Sequence, residues 1–265
     1  MNQKIDKLKS ILATYKSVII GFSGGIDSTL LCYYANEVLK NKFLAITAIS
    51  ETITEEEISQ VKELSSLYGW PHKIIMSNEL SNDNFIANTP ERCKICKDIR
   101  FKEILKLAQE LDYKVVASGD NIDDLKDYRP GYVHIKSLGV KSPLIEAGMS
   151  KYDIRTIAKE IGLPNYNKPS NPCLATRLPY GTKITIENLQ KIAIAEKFIN
   201  DLGYLEVRVR HHNDIARIEL LSTEIVDFIS LHSSIVNKKL KSLGYKYVTI
   251  DIQGYRVGSL NEVLA

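Results

Sequence analysis

The sequence predicts an α/β protein in which a parallel β-sheet is flanked by helices and a small α+β domain follows. Apolar runs of strand length alternate with amphipathic helical patterns over residues 3–162, which is typical of a parallel sheet covered on both faces. Residues 163–183 hold four of the eight prolines and separate this part from a shorter region of mixed elements. We therefore expect a first domain over residues 1–168, a cysteine-bearing loop over 169–184 and a second domain over 185–265.

The elements of the first domain follow from the spacing of apolar residues. Short apolar runs predict buried strands, and apolar residues that recur every three or four positions predict helices. Thr54-Glu55-Glu56-Glu57 is a capping box that opens one helix, and the pair Ser150 and Asp153 starts another. The predicted order is helix 3–15, strand 18–22, a helix from Asp27, strand 43–48, helix 54–69, strand 72–76, loop 78–92, helix 96–111, strand 114–118 and helix 150–162.

The second domain begins after the proline-rich loop and mixes both kinds of element. Its two long apolar patterns have helical spacing, and its shorter runs alternate as half-buried strands do. The predicted elements are helix 185–202, strands 206–211 and 216–220 around a turn at His212-Asn213-Asp214, helix 223–243 and strand 247–252.

Composition places the chain among ordinary globular proteins. It has 265 residues, 44% hydrophobic and 25% charged, and a net charge of +3 that is too small to argue for a nucleic-acid partner. No apolar run is long enough for a membrane span, and the Lys-rich start is not a signal peptide, so we expect a cytoplasmic protein without a membrane partner. Four cysteines in a reducing compartment favour metal or catalytic use over a disulfide framework.

A stretch rich in Gly and Ser joins the first strand to the helix that follows it. The residues Ser23, Gly24, Gly25, Asp27 and Ser28 lie where a strand ends and a helix begins. A helix N-terminus has unpaired N–H groups and a positive dipole end, so such a turn binds phosphate. Two glycines alone would also fit an ordinary strand-to-helix turn. Asp27 suits either a Mg²⁺ ligand or an N-terminal cap of the helix.

The hexapeptide that contains these residues, Ser23-Gly24-Gly25-Ile26-Asp27-Ser28, resembles the PP-loop of ATP pyrophosphatases. It does not match a Walker A motif. That resemblance implies an adenine nucleotide alpha hydrolase-like fold, which holds the pyrophosphate of ATP while a substrate is adenylated. Ser23, Ser50 and Gly119 each follow a predicted strand. Because ligands of such sheets bind at the carboxyl ends of the strands, we expect these residues to cluster around one nucleotide.

The cysteine pair Cys93-Lys94-Ile95-Cys96 is open to several interpretations. A redox pair, a zinc site and an iron–sulfur site all use this spacing, but a redox pair would follow a strand, and zinc would need a fuller set of ligands. A third cysteine, Cys173, lies in the proline-rich loop, so three thiolates are available for a [4Fe–4S] cluster with one open iron. Cys32 lies among apolar helix residues and is better explained as part of the core.

Longer motifs resemble the LarE family of ATP-dependent sulfur transferases, which act in the biosynthesis of the nickel-pincer cofactor. The family signature is matched by residues 171–185, from Asn171-Pro172-Cys173-Leu174-Ala175-Thr176-Arg177 to Thr185. The other matching blocks are residues 118–124, 127–131, 142–148, 208–211, 216–219 and 251–256. The resemblance therefore covers nearly the whole chain.

That resemblance implies a reaction in two steps. ATP and Mg²⁺ activate a carboxylate of pyridinium-3,5-biscarboxylic acid mononucleotide as an acyl-adenylate, and sulfur then replaces AMP to leave a thiocarboxylate. Single-cysteine relatives give up the sulfur of the residue at position Cys173, whereas a subgroup with three cysteines delivers sulfide from a [4Fe–4S] cluster. Because this chain also has Cys93 and Cys96, it is similar to that subgroup. Sulfide or a sulfur-donor system as partner, and a homo-oligomer, are implied as well.

The resemblance also implies roles for residues that the pattern alone leaves open. It places Cys173, Asp27 and Glu196 at the reaction. Arg177 is near Cys173 and could hold a phosphate or carboxylate of ATP or the substrate, whereas an isolated arginine would more often form a surface ion pair. Arg208 and Arg210 are two positions apart on a predicted strand, so their side chains lie on the same face. They could bind the substrate phosphate together, or they could form the solvated face of the strand. Without the resemblance, Glu196 would be a helix-surface residue. Of the remaining residues, Asp123, Asp124 and Asp127 suit Mg²⁺ or loop capping, and Trp70 suits the core.

Three rival functions fit part of the sequence. A tRNA thiolation enzyme shares the PP-loop and the three cysteines, but it is expected to carry a basic RNA-binding surface. An ammonia-using synthetase explains the loop and leaves Cys93, Cys96 and Cys173 without a role. A non-catalytic nucleotide-binding regulator predicts ATP binding without release of pyrophosphate.

Overall fold

The computed structural model describes residues 2–125, 130–169, 171–256 and 258–264. The chain divides into two compact units, Met1–Glu79 with Glu91–Ser170, and Leu80–Pro90 with Asn171–Ala265. The domain boundaries drawn from the sequence stay a prediction, and in the structure the segment 80–90 groups with the second unit.

The described helices and strands follow the predicted alternation. In chain order the helices are α1 Asn2–Thr14, α2 Ile26–Leu39, α3 Glu55–Leu67, α4 Asp83–Ile86, α5 Arg92–Glu110, α6 Pro130–Ser137, α7 Pro143–Glu146, α8 Lys151–Glu160, α9 Ile186–Asn200 and α10 Ile225–Ser242. The strands are β1 Val18–Gly21, β2 Phe43–Ile49, β3 His72–Met76, β4 Val115–Ala117, β5 Arg208–His212, β6 Ile215–Glu219 and β7 Tyr247–Ile250. Among the described residues, no helix is long and apolar enough to cross a membrane.

The first unit is built on a parallel sheet with the strand order β3-β2-β1-β4, which confirms the predicted fold class. Successive residues of β1 point to opposite faces of this sheet. Val18 and Ile20 pack into the core that contains α1 and α2, whereas Ile19 packs on the other side with Phe101 and Ile104 of α5. Burial on both faces explains why β1 is a continuous apolar run.

Trp70 lies in the core of the first unit, as the sequence predicts. It is 6% exposed, and its ring stacks on Tyr68 with the centroids 5.0 Å apart. Phe22 and Phe43 meet the same ring edge-on. Aromatic side chains bury large apolar areas, so this cluster contributes to the core of the first unit.

Two of the helix N-termini predicted from capping residues are confirmed, and one predicted N-terminus is wrong. Both hydrogen bonds of the capping box join Thr54 and Glu57 at the start of α3, and the pair Ser150 and Asp153 forms a second capping box at the start of α8. The start predicted at Cys96 is wrong, because α5 begins at Arg92. The predicted loop 78–92 also contains α4, whose N-cap Asn82 accepts hydrogen bonds from the backbone of the next turn.

The second unit contains a small mixed sheet with the strand order β5-β6-β7, as an α+β domain requires. β5 and β6 are antiparallel around a turn in which Asn213 has a φ of 54°, and β7 runs parallel to β6. Residues of α9 and α10 pack with this sheet in one apolar core, including Ile199, Phe228 and Leu240.

Asp153 gives the capping box of α8 a pH dependence. Burial by itself would raise the pKa of Asp153, but hydrogen bonds from Lys4 and Ser150 outweigh it and bring the pKa down to about 2. Because folding lowers this pKa, the ionised carboxylate stabilises the fold at pH values above the pKa that Asp153 has in the unfolded chain. This contribution is lost as the pH falls through the pKa of Asp153 in the folded protein. The variant Asp153→Asn should therefore lower the free energy of unfolding by about 1 kcal/mol at neutral pH.

The difference between the two proteins should shrink as the pH falls from about 4 towards 2. Urea-unfolding midpoints measured at a series of pH values test this. A difference that stays constant over that pH range would contradict the role of the ionised Asp153.

Candidate functional site

The predicted phosphate-binding loop connects β1 to α2 at the carboxyl edge of the parallel sheet. Gly24 has a φ of 73°, which favours glycine, and a Cβ there would lie 2.9 Å from Val61 Cγ1. The carbonyl of Gly25 accepts hydrogen bonds from the hydroxyls of Ser28 and Thr29 at 3.0 and 2.9 Å. The turn is therefore held by its own helix.

Asn165 holds the same loop through a second carbonyl. Its buried side-chain amide donates to the carbonyl of Gly24 and to Thr29 Oγ1, both at 2.9 Å. Because the C=O and N–H of a trans peptide point in opposite directions, the N–H groups that follow Gly24 and Gly25 point away from these partners. On the other side of the turn, the N–H of Gly25 donates to Ser23 Oγ at 3.4 Å. The N–H of Ile26 lies at the N-terminus of α2, a position that suits an anion.

Of the other residues predicted to bind ATP, Ser23, Ser50 and Gly119 lie in the first unit beyond the ends of β1, β2 and β4, whereas Arg177 belongs to the second unit. The hydroxyls of Ser23 and Ser28 lie 3.2 Å apart. Ser50 Oγ lies 2.9 Å from Thr52 Oγ1. Gly119 lies against α2, where an added Cβ would be 2.9 Å from the backbone nitrogen of Ser28. That these residues bind ATP stays a prediction.

Asp27 lies in the first turn of α2 and is held by two side chains. Asn121 Nδ2 donates to Asp27 Oδ1 at 3.3 Å, and Lys151 Nζ forms an ion pair with Asp27 Oδ2. The interpretation of Asp27 as a helix cap is wrong, because the N-cap of α2 is Gly25. Its carboxylate is instead part of a charged group at the phosphate-binding loop.

The neighbouring acidic residues accept hydrogen bonds from the backbone. Asp123 Oδ2 accepts from the backbone N–H of Lys151 at 2.8 Å, and Asp124 Oδ2 accepts from that of Asn121 at 2.9 Å. Both bonds correspond to the loop-capping alternative. Asp127 and the motif that it begins, through residue 129, lie outside the described residues.

Cys93 and Cys96 both lie on α5 rather than on a loop and a helix start, because this helix begins earlier than predicted. At this spacing the two thiols share one face of the helix. Cys96 Sγ lies 3.5 Å from Oε1 of the fully buried Glu79. Arg100 pairs with Glu79 and also donates to Ser50 Oγ at 3.4 Å, so this network connects Cys96 with a residue predicted to bind ATP.

The charge state of this network follows from its pairing. Burial by itself would raise the pKa of Glu79, but the charge and hydrogen bond of Arg100 outweigh burial, and the pKa is lowered. Cys32 differs from the pair on α5, since it is fully buried and burial raises the pKa of its thiol well above the usual value. The prediction that Cys32 belongs to the core is confirmed.

Cys173 lies in the second unit, directly before a 3₁₀ turn formed by Leu174–Arg177. Its carbonyl accepts hydrogen bonds from the backbone N–H and the hydroxyl of Thr176 at 2.9 and 2.8 Å. Its side chain is partly exposed. The loop thus fixes the backbone of Cys173 while solvent reaches the residue.

Arg177 and Glu196 form a buried ion pair in the same unit. Nε and Nη2 of Arg177 donate to the two carboxylate oxygens of Glu196 at 2.9 and 3.0 Å. Glu196 Oε1 also accepts from the backbone N–H of Val209 in β5, at 2.8 Å. Glu196 is 8% exposed, so its interpretation as a helix-surface residue is wrong.

Arg208 and Arg210 are each only 7% exposed, so they do not form a solvated strand face. Arg210 donates to the buried Glu219 at 2.7 Å and to Ser259 Oγ at 2.9 Å. Arg208 donates to the carbonyl of Val207 at 2.7 Å, and its guanidinium lies 5.1 Å from the centroid of the Tyr255 ring. Burial, followed by the nearby positive charge of Arg177, lowers the pKa of Arg208.

The predicted metal ligands are the thiols of Cys93, Cys96 and Cys173. Among the described side chains, no group of three or more His, Cys, Asp or Glu residues is arranged to hold a metal ion. The pair on α5 supplies two thiols at a spacing that metal centres use, but the described side chains do not form a complete cluster site.

Several residues of this site were missed from the sequence. Asn121, Lys151 and Asn165 contact the phosphate-binding loop or its aspartate, although they are far from it in the chain. Glu79 and Glu219 are the buried partners of arginines. Asn121 and Asn165 had a usable signal, since they lie in the matching block 118–124 and in the proline-rich residues 163–183. Lys151 follows shortly after the matching block 142–148.

Comparisons with known proteins agree with the prediction of a PP-loop domain. The family of PP-loop domains matches residues 1–128. Over 258 residues the chain is 38% identical to pyridinium-3,5-bisthiocarboxylic acid mononucleotide synthase of Lactiplantibacillus plantarum, covering 97% of this chain and 93% of that protein. An uncharacterized protein of Synechocystis is 38% identical over 100% of this chain and 99% of its own. A tRNA-specific 2-thiouridylase of Desulforamulus reducens is 23% identical over 60% of this chain and 54% of its own.

The close approach of Gly119 to α2 can be tested by adding a methyl group. In Gly119→Ala the new Cβ would lie 2.9 Å from Ser28 N and 3.0 Å from Ser28 Cα, so the backbone of α2 must shift. Overpacking of this kind should lower the free energy of unfolding by about 1–3 kcal/mol and weaken ATP binding.

The matched control is Gly25→Ala, where the new Cβ meets only Ser23 Oγ at 3.4 Å and φ is −71°. Urea unfolding compares the stability of the two variants with that of the wild type, and ATP titration calorimetry compares Gly119→Ala with the wild type. A Gly119→Ala protein no less stable than Gly25→Ala would show that the approach is not tight.

Proposed function

The chain belongs to the LarE family of PP-loop proteins, and from this membership we propose that it is an ATP-dependent sulfur-inserting enzyme. Its substrate is pyridinium-3,5-biscarboxylic acid mononucleotide, and its product carries thiocarboxylates in place of the two carboxylates. We further propose that it acts in the cytoplasm as a homo-oligomer. The single observation that carries the proposal is the turn between β1 and α2, where Asn165 and Ser28 hold the carbonyls of Gly24 and Gly25 and the N-terminus of α2 lies beside the Asp27 carboxylate.

The first step is adenylation of a substrate carboxylate. A carboxylate oxygen attacks the α-phosphorus of ATP, the bond to the β-phosphate oxygen breaks, and pyrophosphate leaves. Pyrophosphate is a highly charged anion. It would bind at the N-terminus of α2, against Ser23, Gly24, Gly25 and Ser28. Ser50 and Gly119 complete the nucleotide side of the site in this proposal.

Asp27 is the residue of the loop that we propose to hold Mg²⁺. Carboxylate oxygens are the ligands that Mg²⁺ prefers, and Asp27 lies beside the phosphate-binding turn. Its side chain is 22% exposed and its cationic partner is Lys151. One carboxylate oxygen of Asp27 is engaged by Lys151 and the other by Asn121, so a bound Mg²⁺ would share this carboxylate with both side chains.

Arg208 and Arg210 are proposed to hold the phosphate of the mononucleotide. Both are buried on one face of β5, and charge-assisted hydrogen bonds to a phosphate are about twice as strong as neutral ones. The lowered pKa of Arg208 supports this role, because burial and the positive charges around it leave its environment suited to an anion.

The second step replaces AMP by sulfur, and Cys173 lies at the proposed point of transfer. We propose that Cys93, Cys96 and Cys173 ligate a [4Fe–4S] cluster, which would supply exchangeable sulfide from its open iron. The alternative is that Cys173 alone donates its sulfur and becomes dehydroalanine. Partly exposed Cys173 is accessible for either role.

Thiolation of tRNA remains the second candidate, because the tRNA-specific 2-thiouridylases are similar to this chain. That similarity covers only 54% of the Desulforamulus protein, whereas the similarity to the Lactiplantibacillus synthase covers 93% of that protein. Thiolation of tRNA by the purified protein, without action on the mononucleotide, would favour this second candidate.

Activation is tested by Asp27→Asn. The variant should lose at least about a hundredfold in substrate-dependent release of pyrophosphate, because an amide is a much weaker Mg²⁺ ligand than a carboxylate. The matched control is Asp98→Asn, since Asp98 also pairs with a lysine and its side chain is 23% exposed. Pyrophosphate release by Asp27→Asn at the wild-type rate would contradict the proposed Mg²⁺ role.

The source of sulfur is tested by mass spectrometry of the protein after turnover. If a cluster supplies the sulfide, Cys173 stays intact over many turnovers with added sulfide, and Cys93→Ala loses iron and activity together. Cys32→Ala is the control, because this core thiol is not a proposed ligand. Dehydroalanine at position 173 after one turnover, with Cys93→Ala still active, would establish sacrifice of Cys173 instead.

A further inference from the structure

Arg177 is engaged at all three of its guanidinium nitrogens by groups of its own unit. Besides the two bonds to Glu196, Nη2 donates to Asn171 Oδ1 at 3.1 Å. Nη1 donates to the carbonyl of Pro172 and to Thr176 Oγ1, the latter at 2.9 Å. A guanidinium has five N–H groups, and these contacts account for each of them.

The residues that accept hydrogen bonds from Arg177 in this loop flank Cys173 in the sequence. Asn171 and Pro172 precede the cysteine and Thr176 follows it, while the carbonyl of Cys173 lies 3.3 Å from Nη1. The side chain of Arg177 is 1% exposed. A ligand anion could reach this guanidinium only by displacing one of these contacts.

Glu196 connects this loop with the proposed phosphate ligands. The carboxylate that pairs with Arg177 also accepts from the backbone of Val209, the residue between Arg208 and Arg210 in β5. Arg210 in turn donates to the carbonyl of Thr176 at 2.9 Å. The cysteine loop and β5 are therefore joined by two separate contacts within the second unit.

We propose that Arg177 is a positioning residue, which fixes the Cys173 loop against β5 instead of binding ATP or the substrate phosphate. This inference rests on the proposed function for the step that it serves. In that step Arg177 sets where the sulfur of Cys173 lies relative to a substrate held by β5. Glu196 shares this role, since it neutralises Arg177 and bonds to the strand.

Arg177→Lys and Thr176→Val test the proposal. A lysine cannot bridge the same set of acceptors, and the valine keeps the shape of threonine but lacks the hydroxyl that bonds to Arg177 and Cys173. Both variants should lower kcat for thiocarboxylate formation and leave KM for ATP and for the mononucleotide unchanged. We expect losses of about fivefold for Thr176→Val, the equivalent of one neutral hydrogen bond, and larger losses for Arg177→Lys.

A second readout does not depend on the reaction. In the reduced, metal-free full-length chain, both variants should change the rate at which iodoacetamide alkylates Cys173, followed by peptide mass spectrometry. Loosening of the loop should make alkylation faster by about fivefold or more. If the wild type does not act on the mononucleotide, the proposed function fails, and the alkylation rates still decide the role of Arg177.

The matched control is Arg256→Lys in the same unit. Arg256 also forms a two-bond pair with a carboxylate, Glu262, and donates to a backbone carbonyl, that of Gly254 at 3.1 Å. This variant should leave both kcat and the alkylation of Cys173 at the wild-type values. A raised KM with an unchanged alkylation rate in Arg177→Lys and Thr176→Val would overturn the proposal and make Arg177 an anion ligand. Equal changes of kcat and of the alkylation rate in Arg177→Lys, Thr176→Val and Arg256→Lys would also overturn it, because the role of Arg177 would then be merely structural. Should Arg177→Lys fail to fold, Thr176→Val decides the question.

Discussion

The fixed direction of two carbonyl groups, those of Gly24 and Gly25, is the constraint on which the phosphate-binding loop of the first unit depends. Asn165, Ser28 and Thr29 donate to these carbonyls, and the N–H groups of the same two peptides therefore point away from these donors. The positive φ of Gly24 makes the sharp turn possible. Without these bonds the turn could still connect strand to helix, but its peptide groups would have no fixed direction, and anion binding needs that direction.

The second unit depends on buried ion pairs instead of on a turn. Taking a charge out of water is costly, and removing one partner of a buried pair destabilises a protein by about 3–5 kcal/mol because the other charge is left uncompensated. Arg177 with Glu196 and Arg210 with Glu219 are pairs of this kind, each with one side chain at most 1% exposed. Both pairs also bond to backbone groups, so they fix particular chain segments and do not only cancel charge.

The sequence predicted the fold because its signals are local. The apolar runs, the capping box at Thr54 and the proline-rich loop each act over a few residues, and the strand His72–Met76 was predicted to the residue. The start of α5 was missed because the first turn of this helix, from Arg92 to Cys96, has no cap that a pattern could reveal. Contacts of the site, such as that of Asn165 with Gly24 across 141 positions, depend on the packed sheet and have no local pattern.

Charge explains why two arginines of one strand face can have different roles. Arg210 is paired with Glu219, so its charge is compensated within the protein. The pKa of Arg208 is lowered first by burial and then by the charge of Arg177, although Glu196 opposes this effect. A buried cation with a lowered pKa is less stable in its charged form, and an added anion would relieve that cost. Of the two proposed phosphate ligands, Arg208 therefore gains more electrostatic stabilisation from a phosphate, while Arg210 keeps the loop of Cys173 in contact with β5.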